Sequence, residues 1–261
     1  MELTRLNKMI SHNMHYSRRE ADELIKQGLV KVDGKVADDL SMKVTFKNRI
    51  EVKGNALFEK SQYSVIVYHK QKGELVSKKD DRGRKTIFDT LPKRFSHYLS
   101  VGRLDFASEG LLLLSDSPAV VSALMHGDLE RVYYVKINGS VTQAMELAMK
   151  EGMFVEDARK GGHEQSAIRS MEFAPFLAYR IIKNTPTYST IKVMINEGKN
   201  RELRRFFGYF DVEVVDLKRV SYGKIDLDML KPGKHRFLEA SEYAALRDYL
   251  EFEEGKKGDD Q

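Results

Sequence analysis

The strongest hydrophobic signal in the chain is the run of leucines from Leu111 to Leu114, with glycine and serine residues on either side. A short apolar run between turn residues predicts a buried strand. Four more segments are rich in β-branched and aromatic residues that largely alternate with polar ones, and they also predict strands. These segments are YSVIVYHK, RVYYVKING, YSTIKVMINEG and VEVVDLKRV.

Helical patterns lie between these strands. The segment AVVSALMHG follows Ser117 and Pro118, a capping residue and a proline suited to the first helical position. The segment TQAMELAMKEG has the second helical pattern. Because strands and helices do not follow strict βαβ order, we predict an α+β domain with a largely antiparallel mixed β-sheet flanked by helices.

The beginning of the chain predicts a smaller unit of two helices and a hairpin. Ser17 and Glu20 have the spacing of a capping box at the start of a helix, and Gly28 is suited to its end. Asp33 and Gly34 then form a two-residue hairpin turn between alternating segments.

Composition shifts set the expected boundaries. The segment KGNALFEKSQ has the character of a linker, and the chain ends in the acidic segment EFEEGKKGDDQ. We predict a small unit with its linker over 1–60, a larger domain over 61–252 and a disordered tail over 253–261.

The composition limits the possible chemistry. The chain has 261 residues, 44 basic and 39 acidic, with a formal charge of +5, which favours polyanionic partners. It contains no cysteine, so disulfides and thiolate metal sites are excluded. No histidine pair has metal-ligand spacing and no glycine fingerprint is complete, so we predict no metal and no cofactor. Without a signal peptide or an apolar span, we expect a cytoplasmic protein.

Basic residues are dense in the first unit, and either a solvated face or a polyanion-binding surface explains them. Arg18 and Arg19 fall in the first turn of a predicted helix, where the helix dipole disfavours cations, so an anionic partner is indicated. The basic residues are Arg5, Lys8, Arg18, Arg19, Lys26, Lys31 and Lys35.

A resemblance favours the second explanation. The segment RLNKMISHNMHYSRREADELIKQGLVKVDGKVA resembles the αL RNA-binding module first described in the ribosomal small-subunit protein S-four. The resemblance extends from residue 3 to about residue 50. It implies that the unit binds RNA and that Arg5, Lys8, Arg18, Arg19, Lys26 and Lys31 contact it.

A second resemblance covers the leucine run. The segment GRLDFASEGLLLLSDS resembles the signature of the rRNA pseudouridine synthases of the RsuA/RluB/RluF group. It implies that Asp105 is the catalytic carboxylate and that the neighbouring Arg103 contacts RNA. A carboxylate suits the isomerisation because it can attack the anomeric carbon or remove the ribose 2′ proton, and the sequence leaves both routes open.

Two adjacent tyrosines in RVYYVKI are candidates for stacking on an extruded uracil. The family pattern of a basic residue, any residue and then tyrosine fits Arg131, Val132 and Tyr133. The resemblance therefore assigns stacking to Tyr133. Tyr134 is the alternative, and the two side chains cannot share a role because neighbouring strand residues face opposite sides.

The segment INEGKNRELRRFFGYF predicts an amphipathic helix. Its apolar face would carry Leu203, Phe206, Phe207 and Phe210, and the opposite face Arg201, Arg204 and Arg205. Resemblance to the family's Glu-Gly-basic-Asn-Arg segment implies that Arg204 pairs with the catalytic aspartate. It leaves Arg201 and Arg205 as expected phosphate contacts.

The resemblances together imply a cofactor-free pseudouridine synthase acting on ribosomal RNA or a pre-ribosomal particle. The Asn200-Arg201 pair favours 23S rRNA over 16S rRNA as the target. A non-catalytic RNA-binding assembly factor is the alternative from another class of protein. A single RNA site and the modest net charge favour a monomer.

Overall fold

The structure is a computed structural model, and it describes residues 3–14, 16–45, 47–58, 63–163 and 166–259. The chain divides into two compact units. The first comprises the chain up to Ser64 with two short later segments, His97–Leu99 and Ser115–Ser122. The second comprises the remainder.

The first unit contains two helices and two small sheets. Its elements are β1 (Thr4–Arg5), α1 (Leu6–Asn13), α2 (Arg18–Lys26), β2 (Val30–Val32), β3 (Lys35–Val36), β4 (Lys43–Val44), β5 (Ile50–Val52) and β6 (Asn55–Ala56). The predicted capping box is present, since the backbone N–H of Glu20 donates to Ser17 and that of Ser17 donates to Glu20. Gly28 and the turn residue Asp33 have positive φ angles.

The core of this unit is apolar and continuous. One face of α1 and α2 packs on the strands β2, β4 and β5, and Asn7 of α1 donates a hydrogen bond of 2.8 Å to Asp22 of α2. Burying this face stabilises two helices too short to persist alone. Their opposite faces therefore remain open for other contacts.

The second unit contains the long strands predicted from the sequence. Its strands are β7 (Val65–Lys70), β8 (Leu99–Ser100), β9 (Glu109–Ser115), β10 (Arg131–Asn138), β11 (Met153–Val155), β12 (Met171–Phe173), β13 (Ala178–Lys183), β14 (Tyr188–Ile195), β15 (Val214–Tyr222), β16 (Ile225–Asp226) and β17 (His235–Phe237). Its helices are α3 (Ile87–Thr90), α4 (Pro118–His126), α5 (Gln143–Glu151), α6 (Glu202–Tyr209) and α7 (Ala240–Asp259), with a short 3₁₀ turn at Lys93–Phe95. The first residue of β8, the last of β9 and the first five of α4 fall in the two short segments assigned to the first unit.

The main sheet has the strand order β13-β14-β10-β15-β9-β7-β17. The pairs β13/β14, β14/β10, β10/β15 and β7/β17 are antiparallel, whereas β15 and β9 are parallel. Leu111 to Leu114 in β9 are fully buried, as the uninterrupted apolar run predicts. The prediction of an α+β fold with a largely antiparallel mixed sheet is confirmed.

Helices α5 and α6 cover one face of this sheet. Met145 and Met149 of α5 and Phe206 and Phe207 of α6 join the inward side chains of β10 and β14 in one apolar core. The phenylalanine face predicted for α6 is therefore the face that packs.

The three arginines predicted to share one face of α6 have different environments in the structure. Arg205 is 0% exposed. Its guanidinium donates to the carbonyl oxygens of Ala158 and Asn200 and to the hydroxyl of Ser166. The expectation that Arg205 contacts phosphate is therefore wrong in this structure, because a loop covers it and satisfies its N–H groups.

The end of the chain also differs from expectation. Helix α7 continues to Asp259, whereas the sequence predicts a disordered tail from 253. Good helix formers such as Leu250, Glu251 and Glu253 favour this continuation. Residues 260 and 261 lie outside the described residues. Within the described chain, no helix has both the length and the apolarity needed to cross a membrane.

Candidate active site

A cleft of about 180 Å³ opens beside the turn that precedes β9. Asp105 and Tyr133 contribute to its wall, together with five basic side chains and one further acid, Glu202. The basic residues are Arg103, Arg131, Lys199, Arg201 and Arg219. A concave site with this excess of positive charge attracts an anionic ligand.

A buried lysine holds the Asp105 turn. Lys70, at the end of β7, is fully buried, and its Nζ donates to the carbonyl oxygens of Asp105 (3.0 Å), Ser108 (2.8 Å) and Gln71 (2.9 Å). Burial lowers the pKa of Lys70 to about 8, and the neighbouring acids Glu74 and Asp105 oppose that shift. The turn is thus fixed to the sheet at the residue that carries the carboxylate.

Asp105 lies between two arginines. Its Oδ2 is 3.4 Å from Nε of Arg204, and its Oδ1 is 3.7 Å from Nε of Arg201. Arg204 is itself held by hydrogen bonds to the carbonyl oxygen of Val214 (2.8 Å) and the hydroxyl of Ser108 (3.2 Å). The structure thus brings together Asp105 and Arg204, which the sequence predicts as a pair.

Arg201 has a different position from the one expected. It precedes α6 with a φ of 52° and lies beside Asp105, with Nη1 donating to the carbonyl oxygen of Gly162 (2.9 Å). A left-handed conformation is unfavourable for arginine, and such strain is typical of functional sites. Arg201 is therefore placed to act on the carboxylate as well as on a ligand phosphate.

The two tyrosines of β10 face opposite sides of the sheet. Tyr133 is 7% exposed and lines the cleft with Asp105, whereas Tyr134 is 39% exposed on the other face, with Lys192 over its ring. Only Tyr133 shares the cleft with the carboxylate. Tyr133 also belongs to the apolar core, and this packing restricts its orientation.

The predicted RNA contacts outside α6 lie on accessible surface. Arg103 is exposed at the rim of the cleft. In the first unit the remaining six are exposed or half-buried, namely Arg5, Lys8, Arg18, Arg19, Lys26 and Lys31. Burial, and after it the charges of Lys8 and Arg18, lower the pKa of His12 to about 4. Lys26 is partly neutralised by Glu23 at 2.8 Å.

Sequence reasoning gave no role to three charged groups that the cleft or its support contains. Lys70 ends the strand VIVYHK, and a lysine at the end of a strand that begins with an apolar run is the signal that points to it. Glu202 is buried at the start of α6, and burial raises its pKa to about 7 while the backbone N–H of Lys199 opposes the shift. Arg219 lies within β15 and is almost completely buried.

Metal binding has no evident ligand set in the described part of the chain, which contains no cluster of three or more acidic, histidine or cysteine side chains suited to an ion.

Comparison with known proteins agrees with this architecture. Residues 64–209 match the RNA pseudouridylate synthase family, and residues 4–50 match the S4 domain. A crystal structure of a pseudouridylate synthase superposes with a TM-score of 0.61 at 25% identity, covering 93% of this chain and 99% of that one. The fold is thus that of a uridine-isomerising enzyme with an S4 domain.

Bacterial proteins are similar to this one along almost the whole chain. An RNA pseudouridine synthase of Helicobacter pylori is 50% identical over 98% of both chains. The ribosomal large subunit pseudouridine synthase B of Bacillus subtilis is 33% identical over 94% of this chain and 96% of its own. The chain belongs to the RNA pseudouridine synthase family.

Proposed function

We propose that this protein converts uridine to pseudouridine in large-subunit (23S) ribosomal RNA, with Asp105 as the catalytic carboxylate. The observation that carries the proposal is the position of Asp105 in a basic cleft, with Arg204 at 3.4 Å and Arg201 at 3.7 Å. Relatives named as large-subunit synthases support the choice of RNA. The protein acts as a monomer in the cytoplasm, on free RNA or on a pre-ribosomal particle.

The cleft supplies what isomerisation requires. The bond between ribose C1′ and N1 of uracil breaks, the base turns over, and a bond forms between C1′ and C5. Asp105 assists either by attacking C1′ or by taking the 2′ proton. Arg204 stabilises the ionised carboxylate when RNA closes the cleft, because an adjacent guanidinium offsets the loss of water.

Three further side chains complete the proposed site. Tyr133 stacks on the extruded uracil, since its ring lines the same cleft and is held by core packing. Arg103 and Arg201 contact the neighbouring phosphates. The basic residues of the first unit, Arg18 and Arg19 among them, bind a structured part of the RNA.

The test uses rRNA transcripts of both subunits labelled with tritium at C5 of uracil. Formation of pseudouridine expels that hydrogen, whereas binding does not. We expect release from 23S rRNA by the wild-type protein and none by Asp105→Asn, a nearly isosteric variant that should fold and bind RNA normally. Immature large-subunit particles serve as a second substrate.

Each result decides a part of the proposal. Release from 16S rRNA alone would move the target to the small subunit. Release at the wild-type rate by Asp105→Asn would remove Asp105 from catalysis. No release by the wild-type protein from any RNA or particle would overturn the proposed activity.

A further inference from the structure

Arg219 has an unsatisfied donor in the interior of the protein. The residue is 3% exposed, and its Nε donates to the carbonyl oxygen of Leu111 at 2.7 Å. Its Nη2 is buried and has no hydrogen-bond partner among the described residues. Buried guanidinium N–H groups are almost always paired because desolvation without a partner is costly. An unpaired one at a ligand cleft points to a partner that arrives with the ligand.

The position of Arg219 in the sheet directs it to the cleft of Asp105. It lines that cleft, and it is the cross-strand partner of Tyr133 in the β10/β15 pair. Side chains of paired residues lie next to each other on one face of a sheet. Arg219 is thus a neighbour of the ring proposed to stack on uracil.

Arg219 is also rigidly held. The guanidinium carbon lies 5.2 Å from the ring centroid of Tyr222, and that of Arg131 lies 5.0 Å from the same centroid. Tyr222 is fixed by a hydrogen bond of 2.6 Å to the carbonyl oxygen of Leu124. Behind Arg219, only a glycine fits at Gly110, since a Cβ there would lie 2.1 Å from the Arg219 carbonyl oxygen.

We infer that Arg219 donates a hydrogen bond to a carbonyl oxygen, O2 or O4, of the target uracil and stabilises the charge that develops on the base. The inference rests on the proposed function. When the C1′–N1 bond breaks, N1 keeps the electron pair and the negative charge spreads to O2 and O4. C5 then bonds to C1′ and loses its proton, and N1 takes up a proton. A fixed, desolvated cation stabilises this charge more than the neutral base.

Arg131 provides the comparison within the same cleft. Its guanidinium packs on the same tyrosine, but Nη1 donates to the carbonyl oxygen of Asn196 (2.5 Å) and Nη2 to the hydroxyl of Tyr222 (3.2 Å). Arg131 therefore has partners within the protein and supports the stack. Arg219 has a free donor and is the residue assigned to the base.

The test combines a protein change with a change of the substrate atom. Arg219→Gln keeps a donor for Leu111 but loses the charge. The full-length variant and the wild-type protein are compared on an rRNA fragment with uridine, 2-thiouridine or 4-thiouridine at the target position. Product nucleosides are separated after nuclease digestion, and RNA affinity and thermal unfolding are measured in parallel. Lys218→Gln, at the preceding residue of β15 and on the opposite face of the sheet, is the matched control.

With uridine, we expect kcat of Arg219→Gln to fall by about 10²- to 10³-fold, as for loss of one oxyanion donor, with unchanged RNA affinity. One of the two thio substitutions should slow the wild-type protein but cause little further loss in Arg219→Gln, because the interaction is already absent. Lys218→Gln should respond to sulfur as the wild type does.

The inference would be overturned if each thio substitution slowed Arg219→Gln by the same factor as it slows the wild-type protein. It would also be overturned if Arg219→Gln had the wild-type kcat on uridine. If Arg219→Gln does not fold, Arg219→Met, which keeps an extended side chain but has neither the charge nor the donors, is used with the same substrates, and the same coupling is expected. A wild-type protein inactive on the uridine fragment would overturn the proposed function, and this inference with it. If the wild-type protein is active on the uridine fragment but the effects of the Arg219 change and the thio substitutions are independent, this inference alone would be overturned.

Discussion

Glu202 is a buried acid at the start of α6 whose ionisation we expect to lower the stability of the folded protein. Its carboxyl group lines the cleft and is buried, and burial raises its pKa to about 7. The charge of nearby Glu197 adds to the rise, while the hydrogen bond from the N–H of Lys199 (3.0 Å) lowers it. Because the unfolded chain has an ordinary glutamate pKa, the folded protein binds more protons between about pH 4.5 and 7.

The free energy of unfolding therefore falls as pH rises through that window, and Glu202→Gln removes this loss. We expect the variant to be more stable than the wild-type protein by about 2 kcal/mol at pH 8, with the gain vanishing below pH 4.5. The glutamine carbonyl still accepts from Lys199. Urea unfolding at several pH values measures the difference. Glu151→Gln, at an exposed position, should show no such dependence, and a gain equal at pH 4 and pH 8 would contradict the prediction.

At the scale of elements, the position of α6 depends on a glycine-containing loop. Gly161 has a φ of +73°, and a Cβ there would lie 2.0 Å from the carbonyl oxygen of Arg204. Across the same contact, a Cβ at Gly208 would lie 2.8 Å from the carbonyl carbon of Lys160. Helix and loop thus approach through backbone atoms, and this approach sets where Arg204 meets Asp105.

Gly161→Ala should therefore lower both stability and activity. A methyl group cannot fit without moving α6, so we expect a loss of about 3 kcal/mol from overpacking and the positive φ together. Gly83 is the matched control, since it has a φ of +70° and open space around its Cβ position. Gly83→Ala should cost about 1 kcal/mol, with normal turnover. Equal losses in urea unfolding and tritium release for both variants would show that the loop contact does not position α6.

The sequence predicts those parts of the fold that depend on residues close together in the chain. Local rules predicted the capping box at Ser17, the buried run of β9 and the packing of Phe206, because each depends on neighbours in the chain. The prediction for Arg205 was wrong because a helix wheel assigns it to the outer face. The loop that buries Arg205 is remote in sequence, and the hydrophobic periodicity of α6 gives no information about the carbonyl groups of that loop.

The residues of the candidate site also divide into those that the sequence predicts and those that only the structure brings out. Asp105 and Arg204 are predicted as a pair only through resemblance, and the structure places them together. Strand alternation predicts that Tyr133 and Tyr134 face opposite sides of the sheet, but it does not say which of the two faces the cleft until the buried face is known. For Lys70 the only signal in the sequence is its position at the end of a strand, and for Arg219 there is none. Their roles depend on carbonyl oxygens remote in sequence, in the turn before β9 for Lys70 and at Leu111 of β9 for Arg219.

At the scale of the whole molecule, basic residues occur in two places with different expected tasks. In the cleft, Asp105 lies among cations, whereas the first unit presents exposed cations on the helices α1 and α2, where the acids Glu20, Asp22 and Glu23 bond to Ser17, Asn7 and Lys26 of the same unit. Contacts with phosphate contribute to affinity by releasing counterions, and this contribution weakens as salt rises. Residues of the first unit should therefore affect how much RNA is bound, and residues of the cleft how quickly it reacts.

The double variant Arg18→Ala/Arg19→Ala tests this separation. If both arginines contact phosphate, the plot of log affinity against log salt should become shallower by about 1.5 to 2, and binding should weaken most at low salt. Turnover at saturating RNA should stay normal, because Asp105 and its arginines are unchanged. Lys150→Ala, an exposed cation at the end of α5, should leave the slope unaltered. A double variant that binds with the wild-type slope but turns over slowly would mean that these arginines serve the reaction and not the capture of RNA.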